Sequence, residues 1–410
     1  MSSVPVSIVI VSRDRPDLLL RAVTGVSQLD YDPFELIVVA CPAGMDALTK
    51  HPLQAQIKQI PFDHPNISEA RNLGIQSAAG DIVAFLDDDA VPEPRWLVQL
   101  TRAFANPSVA ACGGYVIGRN GFSYQWRARS LGTDGFTTDM DVSGHDPAVF
   151  EPARGRAIKT EGTNMAVRRD VLADVGGFDP AYAFYMDETD LNMRLARAGH
   201  ATAIAPLARV HHGFAPSSRR AADRTPRDLE QIGSSTAAFL QRYTPQADRA
   251  FVWARHRAEQ KRRCLRAMQR GPLGPDDVTR LLRQLDRGYR AGSALKTTPL
   301  TPILAPISPF RPFPGRPGAQ KVILSGRIWQ TQRKFEKAKT ASRNGAIVVL
   351  YLLYPSIRYH QKRFSDGIWL QIGGIYGKSH RQDNAIRLTS FKKRVASECE
   401  KCDIAEGQSS

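Results

Sequence analysis

Ile82-Val83-Ala84-Phe85-Leu86-Asp87-Asp88-Asp89-Ala90 decides how the rest of this chain is read. The apolar, partly β-branched run over residues 82–86 fits a buried parallel strand, and ligands of open α/β sheets lie beyond the carboxyl ends of such strands. Three adjacent carboxylates stand at that end. They repel one another and are costly beside a dry core unless solvent or a cation takes up their charge, and hard oxygen ligands suit Mg2+ or Mn2+. An acid triplet alone reads as a solvated turn; behind this strand, Asp87, Asp88 and Asp89 read as candidate metal and ligand contacts.

Upstream, Val6-Ser7-Ile8-Val9-Ile10-Val11 is a first buried strand, and Ser12-Arg13-Asp14-Arg15-Pro16 leads into a helix expected over residues 18–29. Polar groups at such a junction meet a phosphate or a base, which makes Ser12, Arg13 and Asp14 candidate nucleotide contacts. Strands are expected at 34–40, closed by Cys41-Pro42-Ala43-Gly44, and at 57–60. Ser68 is positioned to cap a helix carrying Arg71 and Asn72, with Arg71 in reach of a diphosphate. This alternation predicts an α/β fold, a Rossmann-like, mostly parallel sheet with flanking helices.

Downstream, a helix starts near Pro94-Arg95-Trp96, a strand fits 109–116, and residues 118–157 read as an irregular segment on the substrate side. The next informative blocks are Gly162-Thr163-Asn164-Met165 and Tyr185-Met186-Asp187-Glu188-Thr189-Asp190-Leu191-Asn192-Met193-Arg194. On a helix, Asp190 pairs with Arg194 four residues on, while Asp187 and Glu188 lie at the start, where the dipole favours anions. One of those two is a candidate general base. After a short strand at 201–204 comes Val210-His211-His212-Gly213, and one of the two imidazoles is placed to complete a metal site begun by the acids.

The 410 residues carry a net charge of +16, unevenly spread. Residues 1–225 hold 22 Lys+Arg against 26 Asp+Glu, a net −4, and residues 226–410 hold 34 against 14, a net +20. The basic half calls for an anionic surface. No nucleic-acid-binding signature accompanies it, so phospholipid is the expected partner and nucleic acid is not. Five cysteines, sparse and odd in number, fit a reducing compartment; Cys399-x-x-Cys402 is one isolated pair. Residues 1–6 lack the pattern of a signal peptide, and the apolar stretch 344–357, interrupted by Pro355, is too short to span a bilayer. The expected location is cytoplasmic, peripheral at the inner face of a membrane.

Domain boundaries follow composition. Residues 1–225 form the α/β domain and 226–296 a basic helical region, with Arg255, Arg257, Lys261, Arg262, Arg263, Arg266 and Arg270 dense on one stretch. Residues 297–320, holding seven prolines, form an extended linker or strap. Residues 321–403 read as a small strand-helix-strand α/β region, and 404–410 as a disordered tail.

Five blocks in order, SIVIVSRDRP (7–16), ARNLGIQSAAGDIVAFLDDDAVPEPRW (70–96), GTNMAVRRDVLADVGGFD (162–179), MDETDLNMRLARAGH (186–200) and VHHG (210–213), resemble the family 2 glycosyltransferases. The resemblance implies a GT-A fold and an inverting, Mn2+- or Mg2+-dependent transfer from a nucleotide-sugar donor to a glycan or lipid-linked acceptor, in cell-surface or exopolysaccharide synthesis. It implies that Asp89 ligates the metal directly, with Asp87 nearer the ribose and metal-bound water. A histidine after the last core strand joins them, His212 by its position ahead of His211. By the same resemblance Ser12, Arg13, Asp14, Arg71, Asp87 and Asp88 attend the nucleotide sugar, and Gly162, Thr163 and Asn164 line the acceptor side.

Two departures from the family pattern stand out. The acid pair is exchanged, which puts Glu188 at the base position and keeps Asp187 as the alternative. Ala40-Cys41 stands where many members carry a base-reading Asp, which leaves the donor nucleotide open. A catalytically silent scaffold that binds nucleotide or membrane is the other reading of these departures.

Overall fold

The computed structural model describes residues 3–295 and 299–406. The N-terminal runs become β1 (Val6–Ser12), β2 (Phe34–Ala40), β3 (Ile57–Pro61) and β4 (Ile82–Asp87), joined through helices α1 (Pro16–Val26), α2 (Pro42–Leu48) and α3 (Ile67–Ser77). All four strands are parallel, in the order β3-β2-β1-β4. Their alternate side chains feed two layers. Ile8 and Ile10 pack with Leu19, Val23, Trp96 and Leu97 on one face. Val9 packs with Ala70, Ile75, Leu191 and Leu195 on the other. Burial on both faces is why β1, β2 and β4 read as largely apolar runs, while the edge strand β3 carries Lys58 and Gln59.

Next come β5 (Ala90–Pro92), α4 (Trp96–Thr101) and β6 (Val109–Ile117). The segment expected to be irregular contains five short strands, β7 (Tyr124–Trp126), β8 (Arg129–Gly132), β9 (Thr137–Asp139), β10 (Ala148–Phe150) and β11 (Arg156–Lys159), of which β11-β8-β9 form a separate small sheet. Then follow β12 (Met165–Arg168), α5 (Arg169–Asp174), α6 (Asp187–Arg197) and β13 (Ala201–His212). The main sheet runs β10-β13-β6-β12-β4-β1-β2-β3. It is mixed where alternation predicts mostly parallel, because β12 is antiparallel to both β4 and β6. The chain enters β12 from Gly162, whose carbonyl lies beside Arg71 at the carboxyl edge, so it has to run back the other way.

Two further expectations change. The cap of α3 is Asn66, whose side chain accepts the Ser68 and Glu69 amides, while Ser68 is buried and donates to Tyr182 O. The short strand at 201–204 continues to His212, with a register shift between Ala205 and Arg209 around Pro206.

The basic region folds as α7 (Glu230–Tyr243), α8 (Arg249–Gln269) and α9 (Pro275–Ser293). Helices α7 and α9 touch backbone to backbone: a Cβ on Gly288 would lie 1.9 Å from Glu230 O. The described part of the proline-rich segment lies along the main domain, with Ile303 N on Ala173 O, Ile307 N on Gln76 O and Phe313 N on Phe34 O. It leads to a second sheet, β14 (Lys321–Arg327), β15 (Ile347–Tyr354), β16 (Gln361–Ser365) and β17 (Ile368–Gly374), ordered β14-β15-β17-β16, with α10 (Thr331–Arg343) on it and α11 (Phe391–Glu406) after it. Of the expected tail, residues 407–410 lie outside the described residues, as does the side chain of Cys402. Among the described residues, no helix is long and apolar enough to cross a membrane.

Candidate functional site

Strand β4 ends in Asp87, the chain turns through Asp88 and Asp89, and β5 returns antiparallel to the end of β13 with Ala90 opposite His212. That strand pairing brings Asp87, Asp89 and His212 together, with one ligand atom from each within 4.8 Å of the others. His212 Nε2 is 3.0 Å from Asp89 Oδ1 and 4.0 Å from Asp87 Oδ2. Gln125 Oε1 takes the Nδ1 hydrogen bond at 3.1 Å, which turns Nε2 to the carboxylates. Burial opposes ionisation of Asp89, but His212, the Ala215 amide at 2.7 Å and Arg15 hold its carboxyl well below the usual carboxylate range. Two carboxylates and one imidazole, mostly buried, fit a hard divalent cation such as Mn2+ or Mg2+. His211 points the other way, its Nε2 2.9 Å from Glu93 Oε1, so the structure gathers His212 alone with the acids.

On one side of Asp87 lies a cavity of about 430 Å3, lined by the end of β1, Phe62, the three acids, Arg219 and Arg220. Asp88 ties the two strand ends together: Ser12 Oγ donates to it at 2.8 Å and Arg15 Nη1 at 3.0 Å. Burial pushes its carboxyl up to about 7 despite Arg15. Arg13 lines the cavity but pairs with the exposed Asp63, and Asp14, at φ 61°, donates its amide to Cys41 Sγ. Sequence reasoning missed Arg15, Gln125, Arg219 and Arg220. The adjacent arginines at 219 and 220, six residues past the VHHG block, were a visible signal.

On the other side lies a cavity of about 510 Å3 that Asp87 also lines, with Gly162, Thr163, Lys159 and the start of α6 on its walls. Arg71 is buried between the two. It pairs with Asp187, lies 3.3 Å from Asp87 Oδ1 and 3.3 Å from Gly162 O, and rests on the Phe178 ring. A Cβ at Gly162 would meet the Arg71 guanidinium at 2.5 Å, so the close approach needs glycine. Thr163 faces the cavity, and its Oγ1 has no partner among the described residues. Asn164 does not serve the cavity. It is fully buried, accepts from Trp96 Nε1 at 2.8 Å and donates to Tyr115 O and Ala208 O, a three-way structural tie.

Tyr185 and Met186 adopt left-handed φ of 80° and 66°, a strained pair of non-glycine residues that turns the start of α6 toward the cavity. The two acids that follow differ. Asp187, 5% exposed, is held by Arg71, and burial together with the neighbouring Glu188 charge pushes its carboxyl up against that cation. Glu188 is 17% exposed and has Lys159 Nζ at 2.5 Å. Burial works against its ionisation, yet Lys159 holds its carboxyl below the usual carboxylate range. Asp190 pairs with Arg194 as its spacing predicts, and also with Arg242 at 2.6 Å and Tyr243 Oη at 2.8 Å, locking α6 to α7. His256, Glu259 and Arg263 of α8 complete the wall, so the basic region is part of the site.

Residues 4–229, more than half the chain, match the family model described as Glycosyltransferase like family 2, and the chain belongs to that family. It is 28% identical over 243 residues to the O-antigen biosynthesis protein RfbC of Myxococcus xanthus, a match covering 54% of this chain and 18% of that protein. It is 28% identical over 174 residues to the glucosyl-dolichyl phosphate glucuronosyltransferase of Haloferax volcanii, covering 41% and 53%. The pre-mycofactocin glycosyltransferase of Mycobacterium tuberculosis is 28% identical over 218 residues, covering 50% and 42%. The chain thus spans between 18% and 53% of these relatives' own lengths. Among solved structures, GalNAc-T7 with UDP, GalNAc and Mn2+ aligns with a TM-score of 0.45 at 14% identity, over 58% of this chain and 48% of that one.

Proposed function

We propose that the protein is an inverting, metal-dependent glycosyltransferase that moves a sugar from a nucleoside-diphosphate sugar to a hydroxyl of a glycan or lipid-linked acceptor. The observation that carries this reading is the Asp87, Asp89 and His212 cluster in the first cavity, with Asp87 also lining the second, whose wall includes Glu188. The β1 side takes the nucleotide and diphosphate, with Arg15, Arg219 and Arg220 supplying cations to the phosphates. The Glu188 side takes the acceptor. Asp89, His212 and Asp87 would hold Mn2+ or Mg2+, which would supply positive charge against that developing on the leaving diphosphate. Glu188, kept ionised by Lys159, removes the proton of the acceptor hydroxyl; its oxygen bonds to the anomeric carbon as the bond to the diphosphate breaks, with inversion. Arg71 positions Asp187 and the Gly162 turn, leaving Glu188 as the base. Relatives named for O-antigen biosynthesis and for glucosyl-dolichyl phosphate support a surface-glycan or lipid-linked acceptor.

The test is a panel of nucleotide sugars assayed for nucleoside diphosphate release, with Mn2+ or chelator, on the parent chain and Asp89→Ala. We expect release from one donor that chelator and Asp89→Ala both abolish. Release that persists in either condition contradicts the metal reading, and a chain that binds donor without releasing diphosphate supports the scaffold instead.

A bilayer contact belongs to this proposal. Trp329, Ile357 and Leu388, 69%, 61% and 89% exposed, follow the carboxyl ends of the second sheet, where the Arg387 amide bonds Tyr376 O. Arg327, Arg358, Lys378 and Arg387 stand among them, a mixture that suits anionic headgroups over an apolar layer. Co-sedimentation with phosphatidylglycerol vesicles, weakened by Trp329→Ser and absent with phosphatidylcholine, is the expected result; no sedimentation with either lipid contradicts it.

A further inference from the structure

The β5–β13 strand pair that carries the metal ligands has two faces, and the second sheet covers the rear one. In the β5–β13 ribbon, Ala90 pairs with His212 and Val91 with His211. Side chains alternate along a strand, so His212 faces the acids while His211 and Val91 face away together. What they meet is the C-terminal unit. Val91 packs in one apolar cluster with Ile347, Val349, Tyr351, Phe364 and Trp369 of the second sheet. The Trp369 ring lies 4.9 Å from the His211 ring, centroid to centroid.

Polar contacts fix the same junction. His211 Nε2 is 2.9 Å from Glu93 Oε1, and Lys362 Nζ lies 3.6 Å from that oxygen and 5.1 Å from the Trp369 ring centroid. The Lys362 amide donates to Asn120 O at 3.0 Å, and Gln28 Nε2 donates to Gly367 O at 2.7 Å. The approach at Gly121, whose φ is 76°, is tight enough that a Cβ there would fall 2.2 Å from Lys362 O. Neighbouring Arg119 donates to Gly213 O and Phe214 O, the first residues after the metal-facing histidine.

We infer that the second sheet is a working part of the metal site: Trp369 on His211, and Lys362 on Glu93, hold the β5–β13 ribbon in the register that presents Asp89 and His212 to the cation. Trp369 and Lys362 are positioning residues, two steps behind the ligands. The ribbon is short, with β5 only three residues long, and its own pairing with β13 is a weak constraint on where Asp89 and His212 point. Outer partners that orient metal ligands are worth roughly 10–100-fold in metal affinity when they contact the ligand itself. A partner acting through the back of the same strand belongs at or below the lower end of that range.

The inference rests on the metal reading of Asp87, Asp89 and His212, and the experiment separates the two. Mn2+ binding to the full chain is measured from the spin-resonance signal of free Mn2+, beside the unfolding midpoint, for the parent, Trp369→Ala, Trp369→Phe and Lys362→Gln. The Mn2+ dependence of donor hydrolysis is read in parallel. Trp369→Ala is expected to weaken Mn2+ binding up to roughly tenfold, with Trp369→Phe restoring most of it. The hydrolysis rate of Trp369→Ala should approach the parent's at saturating Mn2+, a split that a general loss of folded protein does not produce. Parent-like Mn2+ affinity in folded Trp369→Ala and Lys362→Gln overturns the inference and leaves the metal site standing. A parent chain that binds no Mn2+ overturns both. Where Trp369→Ala does not fold, Lys362→Gln, which removes charge and little volume, decides the matter alone.

Discussion

Glu188 and Asp187 are adjacent acids with different partners, Lys159 for the first and Arg71 for the second. Lys159 holds the Glu188 carboxyl below the usual carboxylate range, so with Glu188 as the proposed base its loss of charge should not limit the rate near neutral pH. A folded-state value below the usual one means that removing the cation moves it up. Lys159→Met should therefore bring in an acid limb, with kcat/KM falling as pH drops from about 7 toward 5, around the ordinary Glu range near 4.3 raised by burial. A pH–rate profile checks this; an unchanged profile removes Lys159 from the account. Asn164 belongs to the same scale. Asn164→Ala strands Trp96 Nε1, Tyr115 O and Ala208 O in the core, at a cost of about 1–3 kcal/mol in denaturant titration, with acceptor KM unchanged in the folded fraction. A raised acceptor KM without a stability loss would return Asn164 to the cavity wall. Its structural role was not legible in the sequence, because its three partners come from positions 44 to 68 residues away. The pairing of Arg71 with Asp187, 116 positions apart, was hidden for the same reason. The acids behind the apolar run were legible because strand and ligands are contiguous.

At the scale of elements, β1, β2 and β4 were plain in the sequence, since each is a largely apolar run of local origin. What was obscured is β13. Pro206 interrupts its pattern, and the continuation to His212 depends on β6 and β5 lying on either side. The short strands β7–β11 escaped notice because three-to-four-residue strands carry too little periodicity to read. The helical region was legible as helices but not as a wall of the site, which depends on Asp190, Arg242 and Tyr243 locking α6 to α7. Its contact also depends on glycine. Gly288→Ala places a methyl 1.9 Å from Glu230 O and should cost about 1–3 kcal/mol, seen as a lower unfolding midpoint. An unchanged midpoint would mean that α7 and α9 separate freely.

For the whole molecule, charge asymmetry between the two parts of the chain was visible in the sequence, while the docking of the second sheet behind the metal ligands was not. That interface joins residues 90–93 and 211 to residues 347–369, and nothing local announces it. The described part of the proline-rich segment bonds the main domain at residues 303, 307 and 313. The molecule then has one site built from three regions: acids and histidine from the main sheet, one cavity wall from the basic helices, and rear support from the second sheet. The bound cation should stabilise the whole. Mn2+ at 100 times its dissociation constant adds about 2.7 kcal/mol to unfolding, and His212→Ala should abolish that gain in a thermal melt. A parent melt indifferent to Mn2+ contradicts the site.

The central claim is tested most directly by Glu188→Gln in the presence of donor, acceptor and Mn2+. If Glu188 takes the proton of the acceptor hydroxyl, the variant binds donor as the parent does and loses about 10²–10⁴-fold in kcat for transfer. Transfer at the parent rate would contradict the account and move the base to another residue, with Asp187 the first to examine.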